Sequence, residues 1–315
     1  MAGFFNALSA SLVLMMLMSV GYIMGRLGWM TAREKAFLSK YIINIAVPCN
    51  CIVGLLNNLD HDSLAEAALA VVSAMTSVVA ALVLSALVGK LLKLPRKRWG
   101  VFVMMGGLSN SLFIGLPVCT QLFGDACTPQ VMLYYLSNTI FLQSVGIMLM
   151  VHAGGQEGKK TSPGQFFKSL FTKPPVLAIL LSVVMLLLGL QLPQPVMKFG
   201  QYIGNSVTPM ALTYCGFILY EVGLKNLRPL PGIPTAMVLR LAVAPLLCLV
   251  FLDLFGITGL TRSVFLVEAA LPVVSQTPVM AGAYGADEQY AATGACLSTL
   301  GSFITIPILM LLIGG

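Results

Sequence analysis

Long apolar stretches separated by short polar connections run along almost the whole chain of 315 residues. A helix needs about 20 predominantly apolar residues to cross the hydrocarbon core of a bilayer. By this criterion the sequence predicts ten transmembrane helices, and therefore an all-α polytopic membrane protein. They cover residues 7–27, 34–57, 64–92, 98–123, 128–153, 174–191, 195–221, 232–254, 259–284 and 288–313.

The fourth and ninth predicted helices are interrupted by polar residues, glycine and proline. The interruptions are GGLSNSLFIGLPV at 106–118 and LPVVSQTPV at 271–279. Backbone groups freed by a break are tolerated at membrane depth only where they are buried in protein or line a cavity. Two such breaks in corresponding positions of two halves indicate a transporter's binding site. We therefore expect the two broken helices to meet near the midplane.

A weak internal repeat links the two halves of the chain. YIINIAVP at 41–48 matches YIGNSVTP at 202–209, and the same offset of 161 residues places Pro117 on Pro278. Chance similarity in a composition-biased chain is the alternative. Five helices per repeat would put the second copy in the membrane upside down. The predicted domains are a first five-helix repeat at 1–153, a linker at 154–173 and a second five-helix repeat at 174–315.

Charged residues are scarce and lie mostly between the predicted helices. They make up 9% of the chain, against about 25% in soluble domains, which excludes a sizeable soluble domain. Most basic residues fall in the odd-numbered connections, and Lys198 and Arg262 are exceptions. The positive-inside rule then predicts both termini on the outer face and the linker in the cytoplasm. Because membrane topology explains the net charge of +7, the expected partner is the lipid bilayer and not nucleic acid.

Several motifs resemble those of the auxin efflux carrier family, which includes plant auxin exporters and bacterial malonate transporter-like proteins. They are SNSLFIGLPVCTQLFGD at 109–125, AALPVVSQTPVMAGAYGAD at 269–287, LSKYIINIAVP at 38–48 and VLRLAVAPLL at 238–247. The resemblance implies a fold similar to bile acid sodium symporters, with a panel of helices 1, 2, 6 and 7 and a core of helices 3–5 and 8–10. It also implies elevator-type transport, and family members are often homodimers. The long hydrophilic loop of the plant exporters is missing, which is typical of a prokaryotic member.

Polar side chains at and near the two breaks are the predicted substrate ligands. An amide can donate to a carboxylate or accept at a cation, and half-helix N-termini favour anions. Helix-packing roles are the alternative. The predicted substrate-binding residues, some of them placed only by the resemblance, are Asn50, Cys51, Ser109, Asn110, Ser111, Ser137, Asn138, Ser275, Gln276, Thr277 and Arg240.

Four prolines are predicted to shape the crossover or act as hinges, because proline removes a helical hydrogen bond. These are Pro48, Pro117, Pro209 and Pro278. Asn44 and Asn205, each four residues before a proline, are predicted to satisfy the carbonyl that the proline frees.

Glu268 and Arg240 are the charges that lie deep in apolar helices. Intramembrane charges are costly and indicate function. One interpretation is a structural ion pair. The other makes Glu268, with Asn110 and Gln276, a coupling site for Na⁺ or H⁺, and Arg240 a ligand of the substrate carboxylate. No other cofactor and no firm metal site is expected, since the seven cysteines show no metal-binding spacing.

These observations predict a secondary transporter of a small organic carboxylate, malonate-like or auxin-like, in the inner membrane. The sequence has no GxxxxGK[ST] motif, so an ion gradient, the membrane potential or the substrate's own gradient must supply the energy. An enzyme is not expected, because no His/Asp/Glu or Cys/His cluster falls within the predicted helices. The alternative is a non-transporting sensor or receptor on a transporter fold.

Overall fold

The helices of a computed structural model lie where the apolar pattern places them. The structure describes residues 2–59, 64–155, 164, 171–223 and 230–313, and these residues contain no β-strand. The helices of this part of the chain are α1 (Ala2–Arg26), α2 (Ala32–Asn58), α3 (Leu64–Leu91), α4 (Arg96–Gly107), α5 (Ser111–Phe123), α6 (Asp125–Ala153), α7 (Pro174–Leu187), α8 (Gln194–Gly204), α9 (Val207–Val222), α10 (Ile233–Leu254), α11 (Gly259–Ala269), α12 (Thr277–Tyr284) and α13 (Glu288–Ile313).

Five of these helices, α2, α3, α6, α10 and α13, are long and apolar enough to cross a membrane. Shorter apolar helices, such as α5 and α7, accompany them. The chain is thus an all-α, multi-pass membrane protein, as the hydrophobic pattern predicts. The number of ten spans, the inverted repeat and the domain boundaries stay predictions.

Widened helical turns precede three of the prolines. In each, the residue before the proline donates its backbone N–H to the carbonyl five residues back instead of four. The turns are Ile42–Ala46 before Pro48, Ser111–Gly115 before Pro117, and Leu239–Val243 before Pro245. Because proline has no N–H, a regular α-helical bond is lost there, and the π-type turn accommodates the loss without ending the helix.

The prediction for Asn44 is wrong. Its Nδ2 donates to the Lys40 carbonyl oxygen at 2.8 Å and not to the carbonyl that Pro48 frees. That freed carbonyl belongs to Asn44 itself and points toward the helix C-terminus, whereas helical side chains tilt toward the N-terminus. The predicted seventh helix is also interrupted. It ends as α8 at Gly204 and resumes as α9, so that Pro209 lies in a first turn, where its missing N–H breaks no helical bond.

Close backbone contacts join α1 to α9 in the predicted panel. A Cβ atom at Gly21 would overlap the carbonyl oxygen of Thr213, and one at Gly216 would overlap that of Met18. Small residues allow this approach, which is a common way to pack helices in a membrane. The α7 helix packs against α2 on the other side of the panel.

Two ion pairs connect helix ends at one end of the bundle. Lys35 Nζ in α2 lies 2.6 Å from Glu221 Oε2 in α9. Arg98 Nε in α4 lies 2.7 Å from Asp287 Oδ2, directly before α13. We call this end of the bundle the basic end. The half-helices that lead inward to the two breaks are deeply buried, since every residue of 100–107 in α4 and of 264–269 in α11 is buried.

Candidate functional site

The two predicted breaks cross each other as short antiparallel peptides. The first break comprises residues 108–110 between α4 and α5, and the second comprises 270–276 between α11 and α12. Ser109 and Val273 form an antiparallel β-bridge. The Asn110 N–H donates to the Pro272 carbonyl at 2.9 Å, and the Val274 N–H donates to the Leu108 carbonyl at 3.4 Å. Each break therefore satisfies backbone groups of the other, and we call this arrangement the crossing.

Side chains from two further helices complete the hydrogen bonds of the crossing. Asn138 in α6 accepts from the Ser109 N–H at 3.3 Å, and its Nδ2 donates to the Ser109 carbonyl at 2.8 Å and to Ser111 Oγ at 3.3 Å. On the second break, the Val273 N–H donates to Ser298 Oγ in α13 at 3.0 Å. Sequence reasoning did not select Ser298, although the internal repeat aligns it with Ser137.

One side-chain hydrogen bond joins the two breaks directly. Asn110 Nδ2 donates to Ser275 Oγ at 2.6 Å. Both residues were predicted as substrate ligands, and the structure brings them together. Thr277, fully buried, donates back to the Val274 carbonyl at 2.9 Å and so closes the first turn of α12.

Arg240 lies behind the second break and outside the cavities that reach the crossing. Its side chain is 1% exposed, and its guanidinium donates to the Ala269 carbonyl at the end of α11. Its Nε has no hydrogen-bond partner in the part of the chain that the structure describes. Among the described residues no ion pair joins Arg240 to Glu268. The contacts assign Arg240 to supporting the break.

Glu268, one residue before that carbonyl, is completely buried. Cys119 Sγ lies 3.6 Å from its Oε1 and can donate a weak hydrogen bond, while Oε2 has no hydrogen-bond partner within the described parts of the chain. Gly115 in α5 packs directly against the carboxyl, and a Cβ atom there would collide with Oε1.

A wide cavity leads from the basic end to the second break. Its volume is about 950 Å³. Lys35, Glu221 and Glu288 supply charged groups to its wall, and Ser275 and Pro278 lie where it reaches the crossing. It separates α2 and α9 of the panel from α12 and α13.

A narrow cavity of about 40 Å³ also reaches the crossing, and residues of both breaks line it. Ile43 of α2 faces it from the panel. Its polar lining residues are Ser109, Asn110, Ser111, Asn138, Thr139, Gln143, Lys173 and Gln276. Lys173, which precedes α7 directly, also lines this cavity, and it was not among the predicted site residues because the sequence places it at the end of the linker.

Three predicted ligands lie elsewhere. Asn50 packs against Gly204 of α8, and Cys51 Sγ lies 3.1 Å from Met132 Sδ of α6. Ser137 Oγ donates to the Leu133 carbonyl of its own helix at 3.0 Å. None of the three lines the wide or the narrow cavity.

The chain matches a known family along nearly its whole length. The family described as Membrane transport protein matches residues 7–310. The chain belongs to this membrane transport protein family. The assignment confirms the resemblance to the auxin efflux carriers that the sequence motifs indicate.

Relatives of this transport family member match it along nearly its whole length. An uncharacterized transporter of Methanocaldococcus jannaschii is 24% identical, over 94% of this chain and 96% of its own length. An uncharacterized transporter of Methanothermobacter thermautotrophicus is 25% identical, over 97% of this chain and 98% of its own length. The uncharacterized transporter YfdV of Escherichia coli K12 is 21% identical, over 94% of both chains. Family and relatives together make the protein a membrane transporter.

The geometry of this transport protein suits an anion at the crossing. Two helices, α5 and α12, begin there, and their N-terminal backbone N–H groups carry partial positive charge. The side-chain amides of Asn110, Gln143 and Gln276 can each donate hydrogen bonds in the narrow cavity. Lys173 adds a full positive charge to the same cavity.

Proposed function

We propose that this protein is a secondary transporter that binds a small organic carboxylate, malonate-like or auxin-like, beside the crossing. The observation that carries the proposal is the mutual pairing of two broken helices, with two helix N-termini and several amides at the inner ends of cavities. Broken helices with such termini at the midplane are typical of transporters that bind charged substrates.

In this proposal Lys173 and Asn110 bind the substrate carboxylate. Lys173 supplies the charge, and the Asn110 amide supplies a directional hydrogen bond from the crossing. Lys173 replaces Arg240 as the proposed cationic ligand of the substrate carboxylate, because the Arg240 guanidinium is buried against the Ala269 carbonyl. Gln276 from the second break lines the same cavity and can provide a third hydrogen-bonding group for the substrate.

The small size of the narrow cavity supports an elevator-type movement as part of this proposal. A volume of about 40 Å³ accepts a carboxylate group but not a complete dicarboxylate. Because α2 faces the cavity from the panel side, whole-substrate binding requires α2 to separate from α5 and α6. We propose that the core then moves against the panel and carries the crossing with it.

We further propose that Glu268 couples transport to protons. A hard cation such as Na⁺ prefers a shell of several oxygen ligands. The hydrogen-bond partner of Glu268 is instead the Cys119 thiol, and one carboxyl oxygen has no partner. Such a site suits a carboxyl that is neutral in this conformation and releases its proton when movement brings it to water.

The test is uptake of labelled malonate into proteoliposomes, with an imposed pH gradient in one batch and a Na⁺ gradient in another. We expect accumulation with the pH gradient. A parallel binding measurement separates a transporter from a sensor, because a sensor would bind the acid without accumulating it. Asn110→Ala should abolish binding while the protein still folds and purifies, and Asn44→Ala, at an exposed asparagine, should bind normally. Full affinity in Asn110→Ala would exclude the crossing as the site.

A further inference from the structure

A second large cavity lies at the basic end and shares no lining residue with the two cavities that reach the crossing. It lies between the turn that joins α3 to α4 and the end of α6, and its volume is about 760 Å³. It is lined by Lys90, Lys93, Leu94, Arg96, Trp99, Val145, Met148, Leu149 and His152. Three of these residues are cations, and none of the described lining residues is acidic.

Specific contacts fix the polar side of this cavity. Arg96 Nε donates to the His152 carbonyl at 2.8 Å and so joins α4 to the end of α6. Trp99 Nε1 donates to the Ala86 carbonyl at 3.2 Å, and the Trp99 ring packs on Gly89, where a Cβ atom would come within 3.0 Å of it. Lys90 Nζ lies 6.0 Å from the centre of the same ring.

The backbone at Lys93 is strained. Its φ is +50°, and no other non-glycine residue of the described chain has a positive φ. A left-handed conformation is costly for a lysine, and such strain clusters at binding sites. Glycine or asparagine would adopt this backbone conformation at lower cost. The strain therefore indicates that the lysine side chain itself has a role at this position.

The apolar side of the cavity is exposed at the outer surface of the helix bundle. Met148 lies in the last two turns of α6 and is 65% exposed, and Val145 and Leu149 line the cavity beside it. Both α3 and α6 are among the helices that can span a bilayer. Trp99 lies between the apolar and the basic parts, as tryptophans do at membrane interfaces.

We propose that this cavity binds one anionic phospholipid. Lys90 and Lys93 contact the headgroup phosphate, and an acyl chain lies along Met148, Val145 and Leu149. A soluble phosphate would use the cations but would leave the apolar wall exposed, which is why we assign a lipid. Basic pockets between transmembrane helices are suited to anionic lipid headgroups. The proposal is independent of the substrate and of the coupling ion.

Native mass spectrometry of the full-length protein in detergent tests the proposal, with phosphatidylglycerol and phosphatidylcholine as probes. We expect one phosphatidylglycerol to be retained and phosphatidylcholine to be lost. Each lysine near a lipid surface changes binding about fivefold, so Lys90→Gln with Lys93→Gln should weaken retention by about thirtyfold. Lys93→Gln alone should show an intermediate loss of lipid retention. This single variant replaces the double variant in the test if the double variant folds poorly.

The matched control removes two exposed lysines elsewhere, through Lys40→Gln with Lys198→Gln. It loses the same net charge and should keep the lipid. Glycerol phosphate at millimolar concentration should not displace the lipid, because it lacks the acyl chain. Equal loss in both double variants, equal retention of the two phospholipids, or displacement by glycerol phosphate would each overturn the proposal.

Discussion

At the scale of single residues, Asn138 is the side chain that makes most of the hydrogen bonds holding the first break. Its amide satisfies both backbone groups of Ser109 and contacts Ser111. In Asn138→Ala the buried Ser109 N–H and carbonyl lose these partners, at about 1–3 kcal/mol for each group. We expect the thermal unfolding midpoint in detergent to fall by several degrees, with weaker malonate binding.

Asn44→Ala is the control for that variant. Among the described residues its amide bonds only to the Lys40 carbonyl of its own helix, and the residue is exposed. The midpoint should stay close to that of the wild type. If Asn44→Ala lowers the midpoint as much as Asn138→Ala does, the loss reflects asparagine removal in general and not the crossing.

Glu268→Gln tests proton coupling at the same scale. Glutamine keeps the size of the side chain and remains neutral at every pH. We expect the variant to fold and to exchange substrate between the two sides, but a pH gradient should no longer drive accumulation in proteoliposomes. Glu66→Gln, at an exposed acid in the first turn of α3, should accumulate substrate normally. Continued pH-driven accumulation in Glu268→Gln would assign the coupling proton to another group.

At the scale of elements, the breaks could be predicted from the local sequence pattern, but the hydrogen bonds that other helices make to them could not. Polar residues, glycine and proline in an apolar run identify a break locally, and Asn110, Ser275 and Gln276 do lie in the breaks. The partners that satisfy them come from other helices: Asn138 was selected only through the family resemblance, as a substrate ligand, and Ser298 was not selected at all. No local pattern shows which helical face meets the crossing. Spacing alone therefore selects neighbours of the break but not its hydrogen-bond partners.

The widened turn in α2 gives a physical reason why helical faces are hard to predict here. A residue in a regular α-helix advances the direction of its side chain by about 100°. The π-type turn at Ile42–Ala46 contains one extra residue per turn, so everything after it is rotated against a regular helix. Asn50 and Cys51 follow this turn, and they point toward α8 and α6.

Gly115→Ala tests the contact between α5 and α11. A Cβ atom at Gly115 would collide with the Glu268 carboxyl and come within 2.6 Å of Leu271 Cδ1. Overpacking of this kind costs about 1–3 kcal/mol, so we expect a lower unfolding midpoint and slower uptake. Gly146→Ala is the matched control, also in a widened turn, because its nearest neighbours lie at an ordinary 3.5 Å. Equal effects of the two changes would show that the glycine turns, and not the Glu268 contact, are sensitive.

At the scale of the whole molecule, the wide cavity opens toward the basic end. The positive-inside rule predicts that this end lies in the cytoplasm, with both chain termini outside and the linker inside. In the proposed mechanism this conformation is the one that exchanges substrate with the cytoplasm. A homodimer formed through the panel, which the family resemblance implies, would leave the core free to move.

Labelling of Ala292→Cys with a membrane-impermeant maleimide tests both the orientation and the movement. Ala292 lines the wide cavity in α13, whereas the seven native cysteines are buried except for the half-buried Cys49. We expect rapid labelling in inside-out vesicles, where the cytoplasmic face meets the medium, and slow labelling in right-side-out vesicles. Slow labelling is expected there because the cavity is open to one side at a time. Wild-type protein gives the background from Cys49.

Leu181→Cys is the control for access through lipid. Leu181 lies on the outside of α7 and is 51% exposed in the structure, so the bilayer should cover it and block labelling from either side. Rapid labelling of Ala292→Cys from both sides would indicate a continuous pore and exclude alternating access. Rapid labelling only in right-side-out vesicles would reverse the predicted orientation but keep the alternating-access mechanism, because the cavity would then open to the outside.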